Sequence, residues 1–199
     1  MPPRRKAKEP LPPIEAGAPE IIPGAVELLT GEDLHRRVML DTVLNASRYV
    51  WLATANLKDM HIAMARGRYI SALHFFEDMA KKGVSFRVIH GDRPSGPFME
   101  SLSGYPALTG GAMEFQHCPR SHWKVAVIDG KSAYLGSANF TGAGLGCRSE
   151  RRRNLEIGIL TADAQMVRRV SAMFDAFWMG GSCAGCFYKK RCPAPIEPG

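Results

Sequence analysis

Between residues 26 and 178, short apolar runs alternate with amphipathic stretches, and no other property of the chain narrows its fold as far. Tyr49-Val50-Trp51-Leu52-Ala53-Thr54 reads as a strand, as do Val84 to His90, 113–117, 122–128, 132–136 and 154–160. After a short apolar run from Val26, Thr30, Glu32 and Asp33 open a helical stretch to about Ser47. Tyr69, Leu73, Phe76 and Ala80 recur at helical intervals over 67–82, and Gly83 ends that helix. A loop rich in glycine and proline, Gly91 to Pro97, leads to a short helix near 98–103 and an irregular stretch to Gly111. A last helix over 162–178 aligns Val167, Val170, Phe174 and Phe177. Strands interleaved with helices need cover on both faces of their sheet. The expected fold class is therefore α/β, a single domain with a mixed β-sheet and helices on both faces.

Length agrees with one domain, because 199 residues with 45% hydrophobic side chains supply one sizeable core and fall short of two. Residues 1–23 hold seven of the fourteen prolines and few large apolar side chains, so they form an expected disordered basic arm carrying Arg4, Arg5, Lys6 and Lys8. Residues 24–180 make the folded domain, and 181–199 a cysteine-rich tail. The prolines and acids near the N-terminus interrupt any signal-peptide core, and no run approaches the ~20 apolar residues of a membrane span. The expectation is a cytoplasmic protein with no membrane partner. A net charge of +7 favours a polyanionic partner, and nucleic acid is the expected one.

Chemistry concentrates in His122-Trp123-Lys124-Val125-Ala126-Val127-Ile128-Asp129-Gly130 and the following Gly136-Ser137-Ala138-Asn139, an H-x-K-x4-D-x6-G-S-x-N pattern. On a strand, residues i and i+2 share a face, so His122 and Lys124 stand side by side while Trp123, Val125 and Val127 pack the other way. A hydroxyl, a carboxamide and an ammonium together make a donor-rich cradle for the charged oxygens of a phosphodiester. Glu156 is the one carboxylate within the apolar 154–160 run, and a buried carboxylate there needs a partner such as an imidazole N–H.

The pattern closely resembles the signature of the phospholipase D superfamily, and the likeness extends from about Val26 to Trp178. Six fixed residue types match this way by chance on the order of 10⁻⁶ per chain. The resemblance implies that His122 is a nucleophile forming a phosphohistidine. It also implies that Glu156 orients that ring and that Lys124, Ser137 and Asn139 hold phosphate oxygens. Asp129 completes the catalytic signature, with support of the loop as its expected part. No metal or other cofactor is needed for this catalysis. A leaving oxygen needs an acid, the chain holds one copy of the motif, and His35, His61, His74, His90 and His117 lack its surroundings. Short single-copy members of the superfamily pair two chains, so a homodimer that completes the active site is expected, acting as an endonuclease on DNA or RNA. A lipid-acting phospholipase D or phosphatidyltransferase, and a non-catalytic nucleic-acid-binding module, are the alternatives.

Two further clusters stand out. Arg148, Arg151, Arg152 and Arg153 lie between Asn139 and Glu156, where they form either a solvated loop or a substrate-binding rim. Cys183, Cys186 and Cys192 make a C-x2-C-x5-C array that lacks one ligand for a metal. Cys147 or Cys118 supplies the fourth, with Cys147 preferred. The array resembles the C-terminal cysteines of RecB-like exonucleases, which hold a [4Fe-4S] cluster. Structural zinc fits nearly as well, and plain free thiols are the third reading.

Overall fold

Seven strands of the computed structural model, which describes residues 24–63, 68–145 and 150–196, form one mixed sheet. The strands are β1 (Val26–Thr30), β2 (Tyr49–Thr54), β5 (Ser85–His90), β6 (Met113–His117), β7 (Val125–Ile128), β8 (Ser132–Gly136) and β9 (Ile157–Thr161). Their order across the sheet is β1-β9-β8-β7-β2-β5-β6. Strands β2, β5 and β6 run parallel, and the remaining pairs are antiparallel. A two-stranded ribbon, β3 (His61–Ala63) with β4 (Tyr69–Ser71), stands apart from the main sheet.

Alternation along the strands explains why both faces are covered. Val50, Leu52, Phe86, Val88, Ala126, Ile128, Tyr134 and Leu160 point into the larger core. That core is closed by α1 (Ala72–Lys81), α2 (Gly96–Ser103) and the helical segment Leu34–Leu40. On the opposite face, Trp51, Ala53, Ile89, Val125, Val127 and Ala133 meet α3 (Ala164–Trp178). Asp163 caps α3 by accepting from the Met166 N–H at 2.8 Å, and Val167, Val170 and Phe174 are its buried side chains. Full burial of one such aromatic side chain contributes ~2–3 kcal/mol.

Several boundaries differ from those read in the sequence. The helix expected over 67–82 is 72–81, because Ser71 accepts from the Leu73 N–H and starts the helix there. Tyr69 consequently lies on β4 and is 58% exposed instead of facing the core. The stretch expected to be helical from Thr30 to Ser47 is split. Residues Leu34–Leu40 wind as a wide helix closed by Asp41 N–H to Arg36 carbonyl at 2.8 Å, and a tight turn follows at Val43–Asn45. Arg37 anchors the wide turn through Glu27 of β1 (2.7 and 2.9 Å) and Asp41 (2.8 Å). Strands expected at 122–128 and 154–160 begin three residues later, at Val125 and Ile157, so His122, Lys124 and Glu156 stand just outside the sheet.

The irregular stretch after α2 is held by a buried carboxylate. Burial acts to raise the Glu77 carboxyl, but the N–H groups of Ala107 and Leu108 and the Lys81 ammonium outweigh it and hold Glu77 below the usual range.

Candidate active site

The register brings six chain segments to one end of the sheet. Ala53 pairs with Val125, Val125 with Leu135, and Gly136 with Gly158. The C-terminal ends of β2, β5, β6 and β8 therefore meet the N-terminal ends of β7 and β9 along one rim. His122 and Lys124 enter it ahead of β7, Ser137 and Asn139 leave it after β8, and Glu156 stands just before β9. Close backbone contact sets the His122 approach. A Cβ added to Gly91 would lie 2.3 Å from the Ser121 carbonyl, so only glycine lets the β5 end pack against the loop that delivers His122.

His122 is exposed and Lys124 is buried. The Lys124 ammonium stands 2.9 Å from His122 Nδ1 and 3.0 Å from Nε2, and it donates to the His122 carbonyl at 2.9 Å. Burial lowers the Lys124 pKa, while the charges of Glu156 and Asp92 oppose that shift. Two carboxylate charges thus offset part of the cost of burying the ammonium. Asp92 belongs to no sequence motif, so only its place at the rim marks it.

Asn139 has a divided role. Its side-chain oxygen accepts from Ala55 N–H at 3.0 Å, Asn56 N–H at 3.2 Å and the Thr54 hydroxyl at 3.2 Å. The carbonyl end ties the β8 exit to the β2 end, which leaves the amide nitrogen as the donor Asn139 has to offer. Ser137 is pinned to β9, accepting from Ile157 N–H at 3.1 Å and donating to Glu156. The Asn154 carboxamide also donates to Glu156, at 3.0 Å. Glu156 is half-buried, and its partners here are Ser137 and Asn154 instead of the His122 ring expected from the sequence.

Asp129 sits at the other end of β7, in a turn at φ 55°. It accepts from Ser47 N–H and hydroxyl (2.8 and 2.9 Å), Arg48 N–H (2.8 Å) and Tyr49 N–H (2.9 Å). Burial acts to raise its pKa, and these four hydrogen bonds outweigh burial and lower it. Asp129 thus secures the start of β2 at the opposite end of β7 from His122, and its hydrogen bonds are those of the supporting part expected from the sequence, although the signature groups it with the catalytic residues.

His90 and His117 stack at the same rim, with ring centroids 4.8 Å apart. Each is tied to backbone, His90 Nδ1 to the Asp92 carbonyl at 2.8 Å and His117 Nε2 to the Gly91 carbonyl at 3.0 Å. These bonds brace the Gly91 loop. Of the arginines, Arg151 and Arg152 are exposed and Arg153 lies 3.9 Å from Glu32, while Arg148 and Cys147 lie outside the described residues. Cys118, Cys183, Cys186 and Cys192 share one cavity, so Cys118 is the fourth cysteine that the structure places with the tail.

Comparison with known proteins bears on this arrangement. A family model described as cardiolipin synthase, PLD-like domain, matches residues 39–178, more than two thirds of the chain. The chain belongs to the phospholipase D-like superfamily. Among solved structures, NucT from Helicobacter pylori is 16% identical with a TM-score of 0.55, over 77% of this chain and 95% of that one. Nuc from Salmonella typhimurium, a phospholipase D family member, is 17% identical with a TM-score of 0.55, over 77% and 93%. TrmBL2, an archaeal chromatin protein, is 11% identical with a TM-score of 0.52, over 77% and 51%. These likenesses establish the phospholipase D-like fold, a mixed sheet with helices on both faces, as the sequence led us to expect. No curated protein sequence matches the chain significantly. No helix among the described residues is long and apolar enough to cross a membrane.

Proposed function

We propose that this phospholipase D-like protein is a homodimeric nuclease that cleaves phosphodiester bonds in DNA or RNA through a phosphohistidine. The observation that carries the proposal is the exposed His122 ring held against the buried Lys124 ammonium at the sheet rim. A His122 nitrogen attacks phosphorus, the P–O bond to the leaving oxygen breaks, and water later releases the phosphoryl group from the ring. Lys124 and the Asn139 amide nitrogen neutralise the phosphoryl oxygens, and the Ser137 hydroxyl joins them by turning from Glu156 when substrate enters.

The leaving oxygen takes its proton from His122 of a second copy. Leu155 and Ile157, which flank Glu156, are 103% and 53% exposed, and Val26 and Leu28 on the neighbouring strand are 55% and 69% exposed. This apolar strip beside the site suits a second copy of the chain, which brings the missing acid with it. The exposed Arg151 and Arg152 beyond it suit a polyanionic substrate. NucT and Nuc support the reading by size, since this chain covers nearly all of each. TrmBL2, which shares the fold, binds DNA.

The family description, cardiolipin synthase, makes phospholipid the competing substrate. Labelled DNA, labelled RNA and phosphatidylcholine vesicles, incubated in parallel with and without chelator, separate the two. Nucleic-acid cleavage that persists in chelator and disappears in His122→Ala is expected. Turnover of phosphatidylcholine alone, or equal cleavage by His122→Ala, would overturn the proposal.

A further inference from the structure

The C-terminal tail after α3 has almost no core of its own. Residues 181–196 are turns and one short helical turn, Lys189–Arg191, with Phe187 90% exposed. Yet the tail does not hang free. It closes a cavity of about 250 Å³ whose wall includes Cys183, Cys186 and Cys192 from the tail, Cys118 from the loop after β6, and the rings of Trp123 and Phe177. Four of the chain's five cysteines thus meet at one place from segments more than sixty residues apart in sequence. All four are free thiols, and each is half-buried.

We propose that Cys118, Cys183, Cys186 and Cys192 hold an iron–sulfur cluster of the four-iron type. Three observations support a thiolate-bound metal group there, and the first of them favours a cluster over a single ion. Thiolates sharing one zinc at ~2.3 Å stand only ~3.8 Å from each other. Among the described residues, no three His, Cys, Asp or Glu side chains converge closely enough to hold one metal ion. In a four-iron cluster each thiolate binds a different iron, so the sulfurs stand well apart around a central volume, which a thiol-lined cavity provides. The second observation is the turn geometry. Cys186 N–H donates to the Cys183 carbonyl at 3.1 Å and Lys189 N–H to the Cys186 carbonyl at 3.0 Å, and the Tyr188 N–H bonds the Cys186 sulfur, an arrangement that stabilises a ligated thiolate. Third, the Arg120 guanidinium bonds the Cys186 sulfur, placing a positive charge where a cluster with four thiolates carries net negative charge.

The cluster staples the tail to the loop that enters the active site. Trp123 lines the cavity and is the residue between His122 and Lys124. Binding energy gained there is folding energy for the tail and positional order for that loop.

The test is metal analysis of the whole chain purified and reconstituted without oxygen, using iron and sulfide as the probe. About four iron and four sulfide per chain with broad visible absorption are expected. Cys118→Ser and Cys192→Ser should each lose most of that iron while retaining far-ultraviolet circular dichroism, and Cys147→Ser should keep it. Cys192 lies in the tail, so its variant reads out metal binding even where Cys118→Ser misfolds. One zinc per chain, no bound metal, or loss of iron from Cys147→Ser and not from Cys118→Ser would each overturn the proposal. His122→Ala should bind the same amount of iron, which keeps this test apart from that of the nuclease reading.

Discussion

His35 shows how a single side chain can set the acid limit of this domain. It is 3% exposed in the wide Leu34–Leu40 helix, neither ring nitrogen has a hydrogen-bond partner among the described residues, and burial pushes its pKa down to about 4. The folded state therefore binds this proton later than the unfolded chain does. Stability is fully present above the ordinary histidine value near pH 6.5 and is lost as pH falls toward 4, by up to ~3 kcal/mol. His35→Leu should flatten that loss, which urea midpoints at pH 4.5 and 7.5 would register. Asp129 makes the complementary case, a charged group whose partners all belong to the backbone and side chain of 47–49. Asp129→Ala should cost about 3 kcal/mol in denaturant unfolding, through lost charge-assisted hydrogen bonds and a strained positive φ. Turnover per folded molecule should stay near wild type. The strand read over 122–128 already puts His122 at one end and Asp129 just past the other, whereas the backbone groups of 47–49 that Asp129 holds are not visible in the sequence.

At the scale of elements, the site is a product of strand ends. No single element carries it: β2 contributes a docking edge for Asn139, β5 the Gly91 loop, β7 the His122–Lys124 pair and β9 the support for Ser137. Precision then depends on backbone contacts, and those of Gly91 against Ser121 and Gly144 against Asn139 are equally close. Gly91→Ala places a methyl group within 2.3 Å of the Ser121 carbonyl, so the loop carrying His122 must move. A displacement near 1 Å lowers turnover on the order of 10²-fold, which kcat on a labelled nucleic acid would report. The strands and α3 are legible in the sequence because their periods are strong and their ends carry caps such as Asp163. The β3–β4 ribbon is not, since each strand is three residues long and its residues also fit the helical repeat that continues into α1.

For the whole molecule, the decisive question is how many copies of the chain make one active site. Leu155 and Ile157 bracket Glu156 with exposed apolar surface. Leu155→Asp should convert a dimer into a monomer by sedimentation and abolish nucleic-acid cleavage, while the unfolding free energy of the monomer, compared at a dilution where both proteins are monomeric, stays within about 0.5 kcal/mol of wild type, as expected for an exposed position. A monomer with full activity would remove the second histidine from the mechanism.

The sequence alone pointed to the family and to the mixed sheet with helices on both faces, and it supplied His122, Lys124, Ser137, Asn139 and Glu156 as the candidates for the site. Strand periodicity and a spaced motif are local properties, and a linear chain displays them directly. Only the tertiary structure decided that Asp129 holds the backbone of 47–49, that Ser137 and Asn154 hold Glu156, and that the Asp92 charge acts on Lys124. It also decided that Cys118 joins the tail cysteines. Each of these is a meeting of residues distant along the chain, or a strand end whose position follows from pairing register. Packing and hydrogen bonding select such contacts only once the whole sheet has formed.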